Sequence, residues 1–314
     1  MKSLTLEEAL ALPDGIFEGI PDEIYFALPY FSASYARTLI INPAKAQEEQ
    51  KATKSIDLGH AIHALKLEGR DALNARFAFV PADAPKKPTD KQREAARPSI
   101  ETVNSIHWWD LFESQNQGKT ILSADDKVII EGACQAIDTY PCVVKRKMFQ
   151  SGMNEVTIIY TDRETGIRIK SRLDNLDEPY INDLKSTADS SLFAFQRSIE
   201  KFGYATQSGA YSIAAASIGI EIEEVRLVAV STKPPYTPLV GGFTEGYLQI
   251  GQLDFCRALN IEAECRELGY YPNVGIPPHL PSLFDVYRIN CDGELEIKND
   301  ADLFHYFEIP RWLA

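Results

Sequence analysis

Two successive strand-like runs, separated by a short turn, constrain the fold of this chain more than any other feature. In residues 167–174, isoleucine and leucine alternate with charged residues, so one face is apolar and the other is polar and basic. Residues 175–179 contain turn formers, and residues 180–185 make the second run. The pattern predicts two neighbouring strands joined by a tight connection.

Acidic residues lie at matching ends of these runs. Asp174 closes the first run, while Asp183 and Lys185 lie two apart in the second and therefore share a face. Two carboxylates can hold Mg²⁺, the metal can acidify a water, and a lysine can stabilise negative charge on phosphorus. The spacing predicts a metal-dependent phosphodiesterase site. The alternative is an ordinary ion pair on a strand, since charged residues make up 25% of the chain.

Length and composition indicate a globular protein of one or two domains. The chain has 314 residues, of which 45% are hydrophobic, and no apolar run approaches the ~18 residues of a membrane span. Acidic residues near the start argue against a signal peptide. Five cysteines without C-x-x-C spacing indicate reduced thiols. We therefore expect a cytoplasmic protein with no membrane partner.

The net charge of −13 argues at first against a nucleic-acid substrate, because DNA binding depends largely on phosphate neutralisation. The charge is unevenly distributed, however. Residues 240–314 hold twelve acids and five bases, whereas residues 141–201 hold ten bases and nine acids. An acidic exterior with a basic channel would direct DNA inward. The alternative is an acidic enzyme that acts on a small substrate.

Periodicity predicts an α/β fold with a central mixed sheet flanked by helices. The predicted helices cover residues 4–12, 32–41, 58–68, 123–140, 190–201, 204–218 and 246–268, and the predicted strands cover residues 155–161, 167–174, 180–186 and 224–230, with a terminal hairpin around Asp292 and Gly293. Residues 81–98 are rich in proline and basic residues and predict a loop that either contacts DNA or is a solvated insertion. Trp108 and Trp109 could stack on bases or pack in the interior.

The order of short motifs resembles a known superfamily. The motifs are Ser32 to Ser34 before Asn42 and Pro43, then Gly59 to His63, Glu155, Arg172 to Asp174, Asp183 to Lys185, and Gln207 with Tyr211. This order is similar to that of the PD-(D/E)XK nucleases, with a restriction-endonuclease-like core, and within them to the RecE (exonuclease VIII) type of recombination exonuclease. The resemblance runs from about Tyr25 to Trp312. It implies an N-terminal arm at 1–30 and a nuclease domain at 31–314, with helical insertions and a C-terminal extension.

The resemblance also implies roles for individual residues. It makes His63, Asp174, Asp183 and the carbonyl of Leu184 metal ligands, and Lys185 the group that orients water or stabilises the transition state. Glu155 would support a second metal or a water.

DNA contacts are assigned to Gln207 and Tyr211, which share a helix face, and to the basic residues Lys170 and Arg172. The plainer alternatives are a core histidine at His63, an edge-strand acid at Glu155, and surface and core positions at Gln207 and Tyr211.

Some features of relatives are missing or altered here. Asp183 stands where many relatives carry glutamate, which shortens the reach by one methylene. The spacing of Cys256, Cys265 and Cys291 does not match the iron–sulfur pattern of some relatives, so no iron–sulfur cluster is expected. The sequence has no G-x-x-x-x-G-K-[ST] phosphate-binding loop of the kind that ATP-driven motors use. Relatives of this type form rings around DNA, so the resemblance implies that processivity comes from a homo-oligomeric ring.

The resemblance implies an exonuclease that uses Mg²⁺, with Mn²⁺ able to substitute. It would act on double-stranded DNA ends in the 5′→3′ direction and leave 3′ tails for a single-strand annealing protein, in a bacterial or phage-infected cell. The alternatives are an endonuclease or repair nuclease on the same core, and a catalytically silent DNA-binding scaffold protein.

Overall fold

A computed structural model describes residues 4–48, 54–273, 287–289 and 295–297. The helices are α1 (Leu6–Leu10), α2 (Asp22–Ala27), α3 (Ala33–Ile41), α4 (Lys54–His63), α5 (Arg70–Arg76), α6 (Asp90–Arg93), α7 (Ile100–Gln115), α8 (Ala124–Thr139), α9 (Pro141–Lys145), α10 (Leu192–Phe202), α11 (Tyr204–Ser217) and α12 (Glu245–Leu268). The strands are β1 (Gly15–Phe17), β2 (Phe77–Phe79), β3 (Thr120–Leu122), β4 (Met153–Thr161), β5 (Arg168–Asp177), β6 (Tyr180–Thr187), β7 (Glu224–Ser231), β8 (Pro238–Gly242), β9 (Tyr287–Ile289) and β10 (Leu295–Ile297). A 3₁₀ turn covers Lys45–Gln47, and a π-helical turn covers Ala64–Glu68.

The main sheet has six strands in the order β1-β4-β5-β6-β7-β8. Neighbouring strands are antiparallel except β6 and β7, which are parallel. A parallel pair needs a crossover connection, and α10 and α11 provide it. The predicted fold class, a mixed sheet flanked by helices, is therefore confirmed.

Helices cover both faces of this sheet. One apolar cluster joins α3, α11 and α12 to the sheet through side chains such as Leu39, Ala214 and Phe255. A second cluster joins α4 and α8 to β6 and β7 through side chains such as Ile62 and Ile130. These side chains are fully buried, so they stabilise the fold by removing apolar area from water.

Helices α11 and α12 cross at very short range. A Cβ added to Gly251 would lie 2.0 Å from the carbonyl oxygen of Ala205, and one added to Gly209 would lie 2.4 Å from the main-chain nitrogen of Gln252. Because no side chain fits between them, glycine is required at both positions. This contact holds α11 in place beside the sheet.

Most of the predicted elements are present. The predicted helix over 58–68 is α4 followed by the π-helical turn, and Gly69 ends it with a φ of +93°. The terminal hairpin is confirmed by the antiparallel pair of β9 and β10, although Asp292 and Gly293 lie outside the described residues. The sequence did not predict β1, β8 or α7, and the two strands are only three and five residues long.

The 81–98 segment is folded against α7. Trp109 is buried and donates from Nε1 to the carbonyl of Pro85 at 2.8 Å. Ser105 donates to the carbonyl of Lys86 at 2.6 Å, and the ammonium of Lys87 lies 2.7 Å from Glu113. These contacts favour the packing interpretation of Trp109 and leave DNA contact by this segment a prediction.

The N-terminal residues pack on the polar side of β5. Strand β1 pairs with β4, so it forms one edge of the sheet. The Lys170 ammonium donates to the carbonyls of Tyr25 and Leu28, each at 2.7 Å, and Arg172 donates to Asp22 at 2.6 Å. The basic face of β5 thus binds the arm predicted at 1–30, and the domain boundary near residue 30 stays a prediction.

We predict that Lys170→Met loosens the arm. The substitution keeps the side-chain length but leaves two buried carbonyls without a donor, which costs about 1–3 kcal/mol each. Part of this loss is offset, because the methionine variant no longer buries a charged ammonium. The cost of burying that charge is visible in the pKa of Lys170, which burial lowers to about 8. Urea unfolding should show a net destabilisation of about 1–3 kcal/mol. Lys91→Met, at an exposed lysine, is the control, and equal midpoints for both variants would contradict the prediction.

Candidate functional site

A cleft of about 360 Å³ lies between α2, α4, α11 and the centre of the sheet. Eight of the ten predicted site residues line it, namely His63, Glu155, Arg172, Asp174, Leu184, Lys185, Gln207 and Tyr211. Asp183 is 1% exposed and lies behind Lys185. Lys170 does not line the cleft, because its ammonium binds the arm. The structure therefore brings nine of the ten together, and Lys170 as a direct DNA contact remains a prediction without support from this geometry.

The strand ladders open where the acidic residues lie. Between β4 and β5 the pairs on either side of Glu155 and Asp174 form, but those two residues do not pair. Between β5 and β6 the ladder ends at Asn175 and Asn182, one position before Asp174 would meet Asp183. Three acids thus lie in neighbouring positions on three adjacent strands, where the β4–β5 and β5–β6 ladders are interrupted while the β6–β7 ladder continues through Asp183.

The backbone is irregular at the same place. Glu155 has a φ of +50°, which non-glycine residues seldom adopt and which marks a strained position. Leu173 and Leu176 both join one apolar cluster although they are three residues apart. The alternation predicted for residues 167–174 therefore does not continue to Leu176. The Asp174 carboxylate accepts from the main-chain nitrogen of Leu184 on β6.

A row of three amides runs beside the acids. Asn175 donates to Asn154 at 2.8 Å, and Asn182 donates to Asn175 at 2.6 Å. Asn154 in turn donates to the carbonyl of Leu67, in the π-helical turn after His63, at 2.9 Å. All three central strands are thereby joined to the end of α4, which fixes His63 relative to the acids.

The imidazole of His63 lies at the meeting point of the predicted ligands. Its Nε2 is 3.1 Å from Oδ2 of Asp174 and 2.9 Å from the carbonyl oxygen of Leu184, and its Nδ1 is 2.9 Å from the carbonyl of Gly59. Asp174 Oδ2 also accepts from the main-chain nitrogen of Leu184 at 2.6 Å. Burial alone would lower the pKa of His63, but Asp174 and the Gly59 carbonyl raise it to about 9. The ring is therefore a cation held by three oxygen atoms at neutral pH.

Asp183 and Lys185 form a buried ion pair. The Lys185 ammonium is 2.5 Å from Oδ2 of Asp183, and it also lies 4.9 Å from the ring centre of Tyr204. The Lys185 ammonium is the charged partner of Asp183 at Oδ2, and Oδ1 of Asp183 has no donor among the described residues. Burial raises the pKa of Asp183 to about 6, with Lys185 opposing and Asp174 adding to the shift.

The carboxyl groups of Glu155 and Asp174 have pKa values that are shifted in opposite directions. Burial, followed by the charge of Asp174, raises the pKa of Glu155 to about 8, so this carboxyl keeps a proton at neutral pH. Burial would also raise the pKa of Asp174, but His63 and then Lys185 hold it below its usual value. Neighbouring acids thus have opposite protonation preferences.

This donor set fits a divalent metal. Asp174, Asp183 and the Leu184 carbonyl offer hard oxygen atoms, and His63 offers a nitrogen. Oδ1 of Asp183 is a buried acceptor without a donor among the described residues, so a cation could bind it beside the Lys185 pair. Among the described residues no three His, Cys, Asp or Glu side chains are grouped closely enough to form a metal cluster.

Several residues of the cleft were not predicted. Asp22 bridges two arginines, with Arg76 and Arg172 each donating to it at 2.6 Å. Tyr204 contacts Lys185 from the start of α11, one turn before Gln207, whose amide donates to Tyr211 at 2.7 Å. Asp22 and Arg76 come from segments with no motif, so only the tertiary fold could reveal them. Tyr204 could have been found from its spacing to Gln207.

We predict that divalent metal binding releases protons. At pH 7.5, below the pKa of about 9 for His63 and about 8 for Glu155, both groups hold a proton that a metal would compete with. Apparent metal affinity should therefore rise with pH and level off above about pH 9. Calorimetric titration with Mn²⁺ in buffers of different ionisation enthalpy should show about one proton or more released per metal. His63→Gln should lower that number by about one. Binding without proton release would contradict the assignment of His63.

Comparison with known proteins identifies the family to which the domain around this cleft belongs. Residues 30–274 match the family described as "PDDEXK-like domain of unknown function (DUF3799)", which is most of the chain. No curated protein matches. A crystal structure described as a "Putative exonuclease" from Eubacterium rectale is similar with a TM-score of 0.48 and 14% identity, covering 78% of this chain and 86% of that chain. That similarity transfers no residue role to this chain.

Two further findings bear on the expected cofactors and surroundings. Cys134, Cys142, Cys256 and Cys265 are free thiols, and Cys291 lies outside the described residues. The absence of an iron–sulfur cluster therefore stays a prediction. Within the described part of the chain, no helix has the length and apolar character that crossing a bilayer requires.

Proposed function

Because this chain belongs to the family of PDDEXK-like domains, we propose that it is a divalent-metal-dependent nuclease that hydrolyses DNA phosphodiester bonds. One observation carries the proposal. His63, Asp174 and the Leu184 carbonyl meet at a single point, next to the Asp183–Lys185 pair and inside an open cleft. A catalytically silent scaffold would have no need to hold these charged groups buried together, since burying charge is costly.

Each residue has a defined part in this mechanism. Asp174, Asp183 and the Leu184 carbonyl would hold the metal, and His63 would join them after losing its proton. The bound metal supplies Lewis acidity and lowers the pKa of a coordinated water. Lys185 places an ammonium where negative charge develops on the phosphoryl oxygens. Glu155, with its raised pKa, can hold or accept a proton near the attacking water.

The finer assignment is supported by the motif order that resembles the RecE type. We propose that the metal is Mg²⁺, with Mn²⁺ able to substitute, and that the substrate is a double-stranded DNA end degraded 5′→3′. The 3′ tails would pass to a single-strand annealing protein, and subunits would form a ring around DNA in the cytoplasm of a bacterial or phage-infected cell. Gln207, Tyr211 and Arg172 line the cleft and would contact the DNA.

We predict that Asp174→Asn, Asp183→Asn and Lys185→Met each lower cleavage at least about 100-fold, as expected for loss of a preorganised electrostatic group. Release of label from an end-labelled duplex with Mg²⁺ measures the effect, and circular dichroism checks the fold. Asp177→Asn is the matched control, because Asp177 lies on the same strand and binds Ser151 outside the cleft. Wild-type DNA binding without cleavage in Mg²⁺ or Mn²⁺ would support the scaffold alternative.

Linear and circular substrates should separate the exonuclease from an endonuclease. We expect a linear duplex to be degraded while a covalently closed circle of the same sequence survives. Duplexes labelled at the 5′ or the 3′ terminus report polarity, and early release of the 5′ label is the expected result. Rapid loss of closed circles would instead assign an endonuclease or repair nuclease to the same site.

A further inference from the structure

The mouth of the cleft carries a large apolar side chain that the fold leaves in water. Phe26 on α2 is 65% exposed and lines the cleft. The exposed His60 on α4 lies beside it, with ring centres 6.5 Å apart and planes inclined by 33°. Two aromatic rings from separate elements thus lie together at the entrance. His60 also lines the cleft.

Phe26 is exposed, yet its main chain is firmly held. The carbonyls of Tyr25 and Leu28 on either side of it both accept from the Lys170 ammonium at 2.7 Å. The Phe26 ring meets the Tyr25 ring edge-on at 5.5 Å, and the Arg172 guanidinium lies 4.2 Å from the centre of the Tyr25 ring. A ring on an anchored segment loses little freedom when it binds a partner.

The chemistry of the cleft identifies the kind of partner. Arg172 and Lys185 lie deeper in the same cleft, where they would meet an anionic backbone. A ligand that is anionic along one side and flat and apolar on the other is a nucleotide strand. Base faces stack on aromatic side chains with little regard to sequence. Arg172 and Lys185 are already paired with Asp22 and Asp183, but an ordinary apolar ligand would bring no group that interacts with these polar side chains.

We propose that Phe26, with His60 beside it, is a nucleobase-stacking site that receives one base of the strand whose backbone passes the metal ligands. The proposal rests on the proposed function and adds a contact to the base, which no other residue assigned above makes. Stacking would fix the distance between that base and the phosphate at Asp174 and Lys185. Phe26 is thereby a specificity-determining residue, because a strand that lacks this base binds less well.

Base deletion combined with residue deletion tests the site. The full-length protein is titrated, with Ca²⁺ in place of Mg²⁺, against labelled duplexes that each carry one abasic nucleotide at a different position near an end. At one position the wild type should lose about 5- to 150-fold in affinity, the range of stacking on one aromatic ring. Phe26→Ala should bind the intact duplex less tightly by a similar factor and should lose no more when the base is removed. Phe26→Trp should restore the sensitivity to the base.

Phe193 provides a matched control. It is the same residue type, is 64% exposed on α10, and does not line the cleft. Phe193→Ala should therefore retain the wild-type response to base removal. Equal affinities of wild type and Phe26→Ala across the whole series would overturn the stacking site while leaving cleavage by the wild type intact. A wild type that cleaves no DNA would contradict the proposed function, and one that binds no DNA would overturn both.

Discussion

The contact on which this site depends is the one at Oδ2 of Asp174. That oxygen accepts from the main-chain nitrogen of Leu184 and from His63, so a single atom joins β5, β6 and α4. The row of amides through Asn175 stabilises this contact, because it joins the same strands to the π-helical turn after His63. The position of the Asp174 carboxylate is thus fixed by contacts with three elements. This rigidity suits the proposed metal site, in which ligand positions tolerate little error.

The charged groups of the site determine one another's protonation. Four acidic or basic groups are nearly buried within one cleft, and each changes the protonation preference of its neighbours. Without a metal, the protons on His63 and Glu155 reduce the repulsion among the carboxylates. In the proposed mechanism the same residues would serve two states: a resting state neutralised by protons, and a metal-bound state from which those protons have left.

The sequence predicted the fold class and the neighbourhood of the acids because alternation and turn residues are local signals. It placed Asp174 beside Arg172 on one face of β5, and both side chains line the cleft, but a simple period of two cannot reveal that the alternation stops after Asp174, where Leu173 and Leu176 join the same apolar cluster. It also assigned Lys170 to DNA. It could not show that the ammonium binds main-chain carbonyls, because these come from a segment about 145 residues away along the chain. Contacts of that kind, including Asp22 with its two arginines, carry no sequence motif.

The edges of the sheet limit how copies of this protein can associate. At one border lies β1, three residues long, and at the other β8, five residues long and ending in two glycines. Such short borders present few free amide and carbonyl groups, so another molecule gains little by extending the sheet. If subunits encircle a duplex, their contacts must be made by side chains on helices and loops. Such interfaces would change without disturbing the central strands that carry Glu155, Asp174 and Asp183.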